Sequence, residues 1–265
     1  MESYVLKIAQ FKIKINFKKS VWIFSRQALM FEIARFYKFF TVKGKVKKID
    51  FLIDFADKEK IDFNNQKSSY YVHFFDKLSD THIVTDYSIS ITQFQTILYY
   101  VLSYLLYNNG YIMLHSSGAL IKGKAHLFLA PSNGGKSTII RLLYKSFSII
   151  GDDSIILKII NNRLFCFPTP FKEKQWWVNK INEKYLVDKL FFLQKSKEIK
   201  ILPILDRKKL IILLRNQVLF GMENYSDYQK IINKFLINLT NFNRLYSLFF
   251  PKTKELSKII TNYIK

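Results

Sequence analysis

Ala130-Pro131-Ser132-Asn133-Gly134-Gly135-Lys136-Ser137-Thr138 stands between two apolar runs of different character. Ala125 to Leu129, with His126 inside it, leads in as a strand, and Thr138-Ile139-Ile140-Arg141-Leu142-Leu143-Tyr144 leads out as a helix. Strand, glycine loop and helix, in that order, form the setting of a phosphate-binding loop. At a helix N-terminus four backbone N–H groups lack intrahelical partners and the helix dipole is positive, so a chain of phosphates is held there by the main chain. Gly134 and Gly135 allow the close turn, Lys136 supplies a point charge for the β- and γ-phosphates, and the Ser137 hydroxyl is a Mg2+ ligand. The expected nucleotide-binding residues are therefore Ser132, Asn133, Gly134, Gly135, Lys136, Ser137 and Thr138. Ala130 occupies the place where the usual pattern has its first glycine. A plain glycine turn before a capped helix is the competing reading, and Gly-Lys-Ser-Thr at a strand-to-helix junction weighs against it.

Downstream, Phe147-Ser148-Ile149-Ile150 ends at Gly151-Asp152-Asp153, and the run Ser154 to Ile160 begins at once. Two adjacent carboxylates beside a phosphate loop have an evident use: one holds Mg2+, the other accepts the proton of an attacking hydroxyl. Taken alone, Gly-Asp-Asp reads equally as a turn. Upstream, Tyr111-Ile112-Met113-Leu114 reads as a strand ending at His115-Ser116-Ser117-Gly118, and Ala119-Leu120-Ile121 as another that turns at Lys122-Gly123-Lys124. His115 at a strand end near the phosphates is a candidate catalytic residue, with a purely structural hydrogen-bonding role as the even alternative.

Leu114-His115-Ser116-Ser117-Gly118-Ala119, then Ala130 to Thr138, then Gly151-Asp152-Asp153, in this order and spacing, resemble the core of the HPr serine kinase family and its smaller HPr-kinase-related members. The likeness covers Tyr111 to Phe171, and more loosely the last stretch of the chain. It implies an α/β P-loop core with a mixed sheet, shared with ATP-dependent phosphoenolpyruvate carboxykinase, here preceded by a strand-rich N-terminal layer. It further implies ATP and Mg2+ as ligands, and a peptide or protein bearing a serine or threonine hydroxyl as acceptor. Asp152 and Lys136 are then catalytic together with His115, and Ser137 and Asp153 lie beside the metal. HPr kinases assemble as multimers, so the resemblance also implies a homo-oligomer. Two departures stand out: Asn133 replaces the first glycine of the family's Gly-x-Gly-Lys-Ser, and the signature that follows the acids in the bifunctional kinase/phosphorylase has no counterpart. These departures set the chain apart from the bifunctional kinase/phosphorylase, and the resemblance leaves phosphorylase activity and HPr as substrate open.

Composition bounds the alternatives. The 265 residues, 49% hydrophobic and 17% aromatic, suffice for one large or two modest domains and exclude a disordered chain. The net charge of +22 invites a polyanionic partner. Yet the excess is mostly lysine, it is dispersed, and it accompanies abundant Asn, Ile, Phe and Tyr, whose codons are likewise rich in A and T. A skewed genome explains it, and no nucleic-acid-binding module is recognisable. Nothing reaches the roughly 18 uninterrupted apolar residues of a membrane span; Ile97 to Tyr107 is short and is cut by Asn108-Asn109-Gly110. Lysines interrupt any signal-like N-terminal core. The single cysteine, Cys166 between Phe165 and Phe167, is read as buried packing in a reducing cytoplasm.

The expected organisation is a strand-rich region over 1–91, covering the core or contacting substrate, and a P-loop kinase-like core over 92–265. Alternation over Phe11 to Phe17 predicts a strand with lysines on one face. Val21 to Phe24, Ile49 to Phe55 and Tyr70 to Phe75 are further short runs, in an antiparallel layer with a helix over Arg26 to Tyr37. Thr92 to Tyr107 predicts a buried helix, and Ser154 to Ile160 with Arg163 to Phe167 a hairpin about Asn161-Asn162. Helices are expected over Lys184 to Phe192, Lys208 to Phe220, Asp227 to Leu239 and Glu255 to Ile264, with a strand over Arg244 to Phe250. Glu173 is a weaker third acid, and Lys172 and Arg163 are phosphate neighbours only if they are not simply solvated. A nucleotide-driven ATPase lacks its usual Asp-Glu strand and transporter signature here. A nucleotide sensor acting on a partner without phosphotransfer remains the non-enzymatic alternative.

Overall fold

The computed structural model describes residues 2–44, 46–61, 74–171, 178, 181–221, 225–251 and 256–263. The chain divides into two compact units, Met1–Leu105 and Leu106–Lys265. The boundary falls near the end of a helix, α2 (Ile91–Asn108), which the sequence reading assigned whole to the core.

In the first unit, β1 (Glu2–Ile8) and β2 (Phe11–Phe17) form a hairpin, followed by α1 (Ile23–Phe36), β3 (Phe51–Ala56), β4 (Asp76–Ser79) and β5 (His82–Asp86). The sheet order is β1-β2-β3-β5-β4. Alternation in β2 works as read: Ile13 and Ile15 are fully buried while Lys12 and Lys14 are half-exposed. The expectation of an antiparallel layer is corrected, because β2 pairs with β3, and β3 with β5, in parallel. Parallel neighbours need a long crossover, and α1 lies in the one between β2 and β3. Val21 to Phe24, read as a strand-like run, is the entry and first turn of α1, with all four side chains exposed. Inside the sheet, Asp54 accepts from Asn16 across the β2–β3 ladder at 2.9 Å and pairs with Lys18 at 3.0 Å and His82 at 3.2 Å. Burial opposes ionisation of this carboxyl, but Lys18, Asn16 and His82 hold it below the usual carboxylate range. Most of the run Tyr70 to Phe75 lies outside the described residues.

The second unit is built on a nine-stranded mixed sheet. Its strands are β6 (Tyr111–Leu114), β7 (Ser116–Ile121), β8 (Lys124–Leu129), β9 (Ser148–Gly151), β10 (Ile155–Ile160), β11 (Arg163–Pro168), β12 (Tyr185–Lys195), β13 (Lys200–Pro203) and β14 (Leu245–Phe250). The main path runs β6-β10-β11-β12-β8-β7-β9, with β14 beside β12 and β13 beside β14. The helices are α3 (Lys136–Leu143), α4 (Arg207–Arg215), α5 (Tyr225–Thr240) and α6 (Leu256–Tyr263). Period-two alternation in the central strands sends side chains to two separate cores. Leu127, Leu129, Leu190 and Phe192 pack with Leu210 and Leu214 of α4 and Ile232 and Leu236 of α5. Phe128, Phe191 and Leu193 pack with Ile139, Ile140 and Leu143 of α3 and Ile260 of α6. Each such side chain, fully buried, contributes about 1.5–3 kcal/mol of transfer free energy, so helices on both faces fix the sheet firmly. Cys166 in β11 is buried in the first of these cores, and desolvation pushes its thiol pKa up.

One expectation is overturned at the centre of this sheet. Lys184 to Phe192, read as helical, is strand from Tyr185 on, in β12, the longest strand among the described residues, which pairs in parallel with β8 on one side and β14 on the other. Its apolar residues at 186, 187 and 190 to 193 do not alternate, because a strand buried on both faces loses the simple alternation of a half-exposed one, and their three- and four-residue separations match helical spacing. The hairpin about Asn161-Asn162 forms as read, with both asparagines at positive φ.

Candidate active site

Three strand ends converge here, and the ladder register shows why. Ser116 of β7 faces Leu129 of β8, so His115, one residue earlier, comes level with the start of the glycine loop. On the other side of β7, Gly118 faces Gly151 of β9, so the acids that follow Gly151 run back toward His115. His115, the loop from Ser132 to Thr138, Asp153 and Lys195 line one cleft of about 380 Å³. All the nucleotide-binding residues expected from sequence are on its wall.

The loop is shaped by close backbone approach. Gly135, the N-cap of α3, has φ +108°, and a Cβ there would come within 2.9 Å of Phe250 Cζ. At Gly134 a Cβ would stand 2.5 Å from the Cβ of Ala130. Gly135, as N-cap, offers no side chain to cap α3, and the loop from Ser132 to Thr138 lines the cleft at the N-terminus of that helix. Lys136, 6% exposed, donates from Nζ to the carbonyl oxygens of Ala130 at 2.6 Å and Pro131 at 3.3 Å. The same Nζ is 3.5 Å from His115 Nδ1, and His115 Nε2 is 3.1 Å from Asp153 Oδ1. A lysine donating to Nδ1 assigns the imidazole proton to Nε2, which then donates to the carboxylate. A continuous polar series thus joins the loop to the acid pair.

The two aspartates differ. Asp153 is half-buried on the cleft wall, whereas Asp152 is 1% exposed and does not line it. The turn that carries them is anchored from behind, where Ser154 Oγ and Thr169 Oγ1 lie 2.7 Å apart in the buried junction of β10 and β11. Arg163 is exposed at the start of β11 and does not line the cleft. Lys172 and Glu173 lie outside the described residues. Among the described residues no group of three or more His, Cys, Asp and Glu side chains is arranged to hold a metal ion. Mg2+ does not need one, because it is commonly bound through one or two protein oxygens, water and substrate phosphates.

Sequence reasoning missed Gln217 and Lys195. Gln217 is 4% exposed in the turn after α4, and its main-chain oxygen accepts the His115 N–H at 2.7 Å. With its amide nitrogen facing the neighbouring carbonyls, it donates to Ala130 O at 2.8 Å and His115 O at 3.2 Å. No local pattern marks such a residue, 87 positions from Ala130. Lys195 carries no motif, and it reaches the wall because β12 is a strand that ends there.

No protein-family profile matches the chain, and no curated protein matches it. Among solved structures it is distantly similar to the HPr(Ser) kinase/phosphatase from Coxiella burnetii, at 14% identity and a TM-score of 0.32, over 57% of this chain and 93% of that one. No helix among the described residues is long and apolar enough to cross a membrane.

Proposed function

We propose that the chain is an ATP-dependent phosphotransferase that moves the γ-phosphate of ATP to a serine or threonine hydroxyl of a peptide or protein. The observation that carries this reading is the series Lys136–His115–Asp153 along the wall of a glycine loop that opens α3. In this reading the amides from Ser132 to Thr138 cradle the phosphates, and Lys136 offsets their charge. Ser137 and Asp153 are hard oxygen donors suited to Mg2+, which when bound neutralises charge on the phosphates. The acceptor oxygen forms its bond to the γ-phosphorus as the bond to the bridging oxygen breaks, and ADP leaves. The hydroxyl proton passes to Asp152, the member of the acid pair not assigned to the metal, which is buried next to Asp153 in the same turn. Phosphoryl transfer proceeds largely by positioning and electrostatics, which suits so small a set of groups.

A second reading is a nucleotide-binding ATPase or sensor without transfer, favoured by the burial of Asp152, which leaves a single aspartate on the wall. Labelled ATP incubated with a library of Ser- and Thr-containing peptides separates the two. Label appearing in peptide with wild type, and not with Lys136→Ala, is the expected result. Binding of Mg·ATP with no label in any peptide selects the sensor.

A further inference from the structure

We infer that Gln217 is a positioning residue of this site, which keeps the glycine loop intact while Lys136 turns to phosphate; the inference rests on the nucleotide reading above. A carbonyl oxygen has two lone pairs. At Ala130, 2% exposed, one is met by Lys136 Nζ at 2.6 Å and the other by the Gln217 amide at 2.8 Å. The N–H groups that Lys136 spends on loop carbonyls are unavailable to phosphate oxygens. If the lysine were the sole donor, releasing it would strand a buried carbonyl at the base of the loop, which is costly. Gln217 removes that cost by remaining bound to Ala130 as Lys136 moves.

The same residue fixes the opposite wall. Its main-chain oxygen takes the His115 N–H, its side chain reaches the His115 carbonyl, and the next two residues continue the attachment. Val218 bridges to Leu114, and the Leu219 N–H donates to Met113 O at 2.8 Å. Gln217 is itself held by α4, since its N–H donates to Leu214 O at 2.9 Å and Leu214 is buried in the core. A helix on the sheet face thereby sets both the loop base and the histidine.

The test is calorimetric titration of the full-length protein with Mg·ATP, for wild type, Gln217→Met, Lys136→Arg and the double variant. Gln217→Met keeps the side chain's length and removes both donors. The expected result is binding weaker by about three- to tenfold per folded molecule, with most of that effect gone in the Lys136→Arg background, because the two side chains act through one shared oxygen. A merely structural role lowers the folded fraction, or weakens binding by the same factor in both backgrounds, and either result overturns the inference. So does binding by Gln217→Met within twofold of wild type. Should that variant fail to fold, Gln217→Glu decides on the same criterion, since it keeps the shape and sets an acceptor against both carbonyls. Wild type that takes up no Mg·ATP overturns the nucleotide reading itself, whereas wild type that binds while Gln217→Met binds equally overturns the role of Gln217 alone.

Discussion

His115 Nε2 lies 3.1 Å from Asp153 Oδ1, so a histidine from one strand end and a carboxylate from another, 38 residues later, meet on the wall beside the glycine loop. This contact ties the acid pair to the loop through Lys136, and it makes the charge of Asp153 the variable to change. Asp153→Asn keeps a hydrogen-bond acceptor for His115 and removes the negative charge. Phosphate transfer, or Mg2+-dependent ATP turnover where no acceptor is supplied, is expected to fall by about 10²-fold or more. Binding of ATP without Mg2+ should change little. Turnover equal to wild type at saturating Mg·ATP would remove Asp153 from the proposed chemistry.

Gly135→Ala tests the loop itself. The substitution meets two separate penalties, a positive φ of 108° and a Cβ 2.9 Å from Phe250 Cζ. Together they are expected to lower stability by about 1–3 kcal/mol and to abolish measurable Mg·ATP binding. Adding Phe250→Leu should restore part of the stability, read from a denaturant midpoint, because it relieves the clash and leaves the dihedral strain. Full restoration by Phe250→Leu would mean that backbone conformation at Gly135 is unimportant.

Cys166 offers a test of the second unit's core. It sits on β11 between β10 and β12 with its thiol buried in the core on one sheet face, and its pKa is pushed up by desolvation, so little thiolate forms at neutral pH. Ellman's reagent is expected to leave the folded protein unlabelled over hours and to titrate one thiol at once in denaturant. Rapid stoichiometric labelling of the native protein would show that the sheet opens there.

Much of this site is legible in the sequence because its signals are local. Gly-Lys-Ser-Thr after an apolar run marks strand, loop and helix within a dozen residues, and the acids and His115 each sit at the edge of a short apolar run. Three features are not legible, for different reasons. β12 is buried on both faces at the sheet centre, where tertiary packing overrides the alternation by which strands are recognised. The parallel pairing in the first unit depends on reading α1 as a crossover, and the exposed aromatic entry to α1 instead suggested another strand. Gln217 is hidden for a third reason: its partners are main-chain atoms, which carry no sequence signature.

His126 supplies the pH dependence. It is fully buried in β8, with its ring over Phe191 at 6.3 Å between centroids. Among the described residues neither ring nitrogen has a hydrogen-bond partner of good geometry, and the Ile121 backbone lies near enough only to oppose weakly the fall in its pKa. Desolvation lowers its pKa from 6.5 to about 4; the nearby charge of Asp188 opposes this, and those of Lys189 and Lys124 add to it. The folded state therefore binds fewer protons than the unfolded state between those two values, and stability rises with pH across that window. The contribution is fully present above pH 6.5 and is lost as pH falls toward 4, with a total loss of roughly 3 kcal/mol at 1.36 kcal/mol per pH unit. Asp54, also held below its ordinary value, acts in the same direction but only below about 3.8, so the two windows are separable. Urea midpoints measured from pH 4 to 7.5 should decline steadily below 6.5 in wild type. His126→Phe, which fills the same space without a titrating group, should flatten that decline, and an unchanged slope in the variant would assign the acid sensitivity elsewhere.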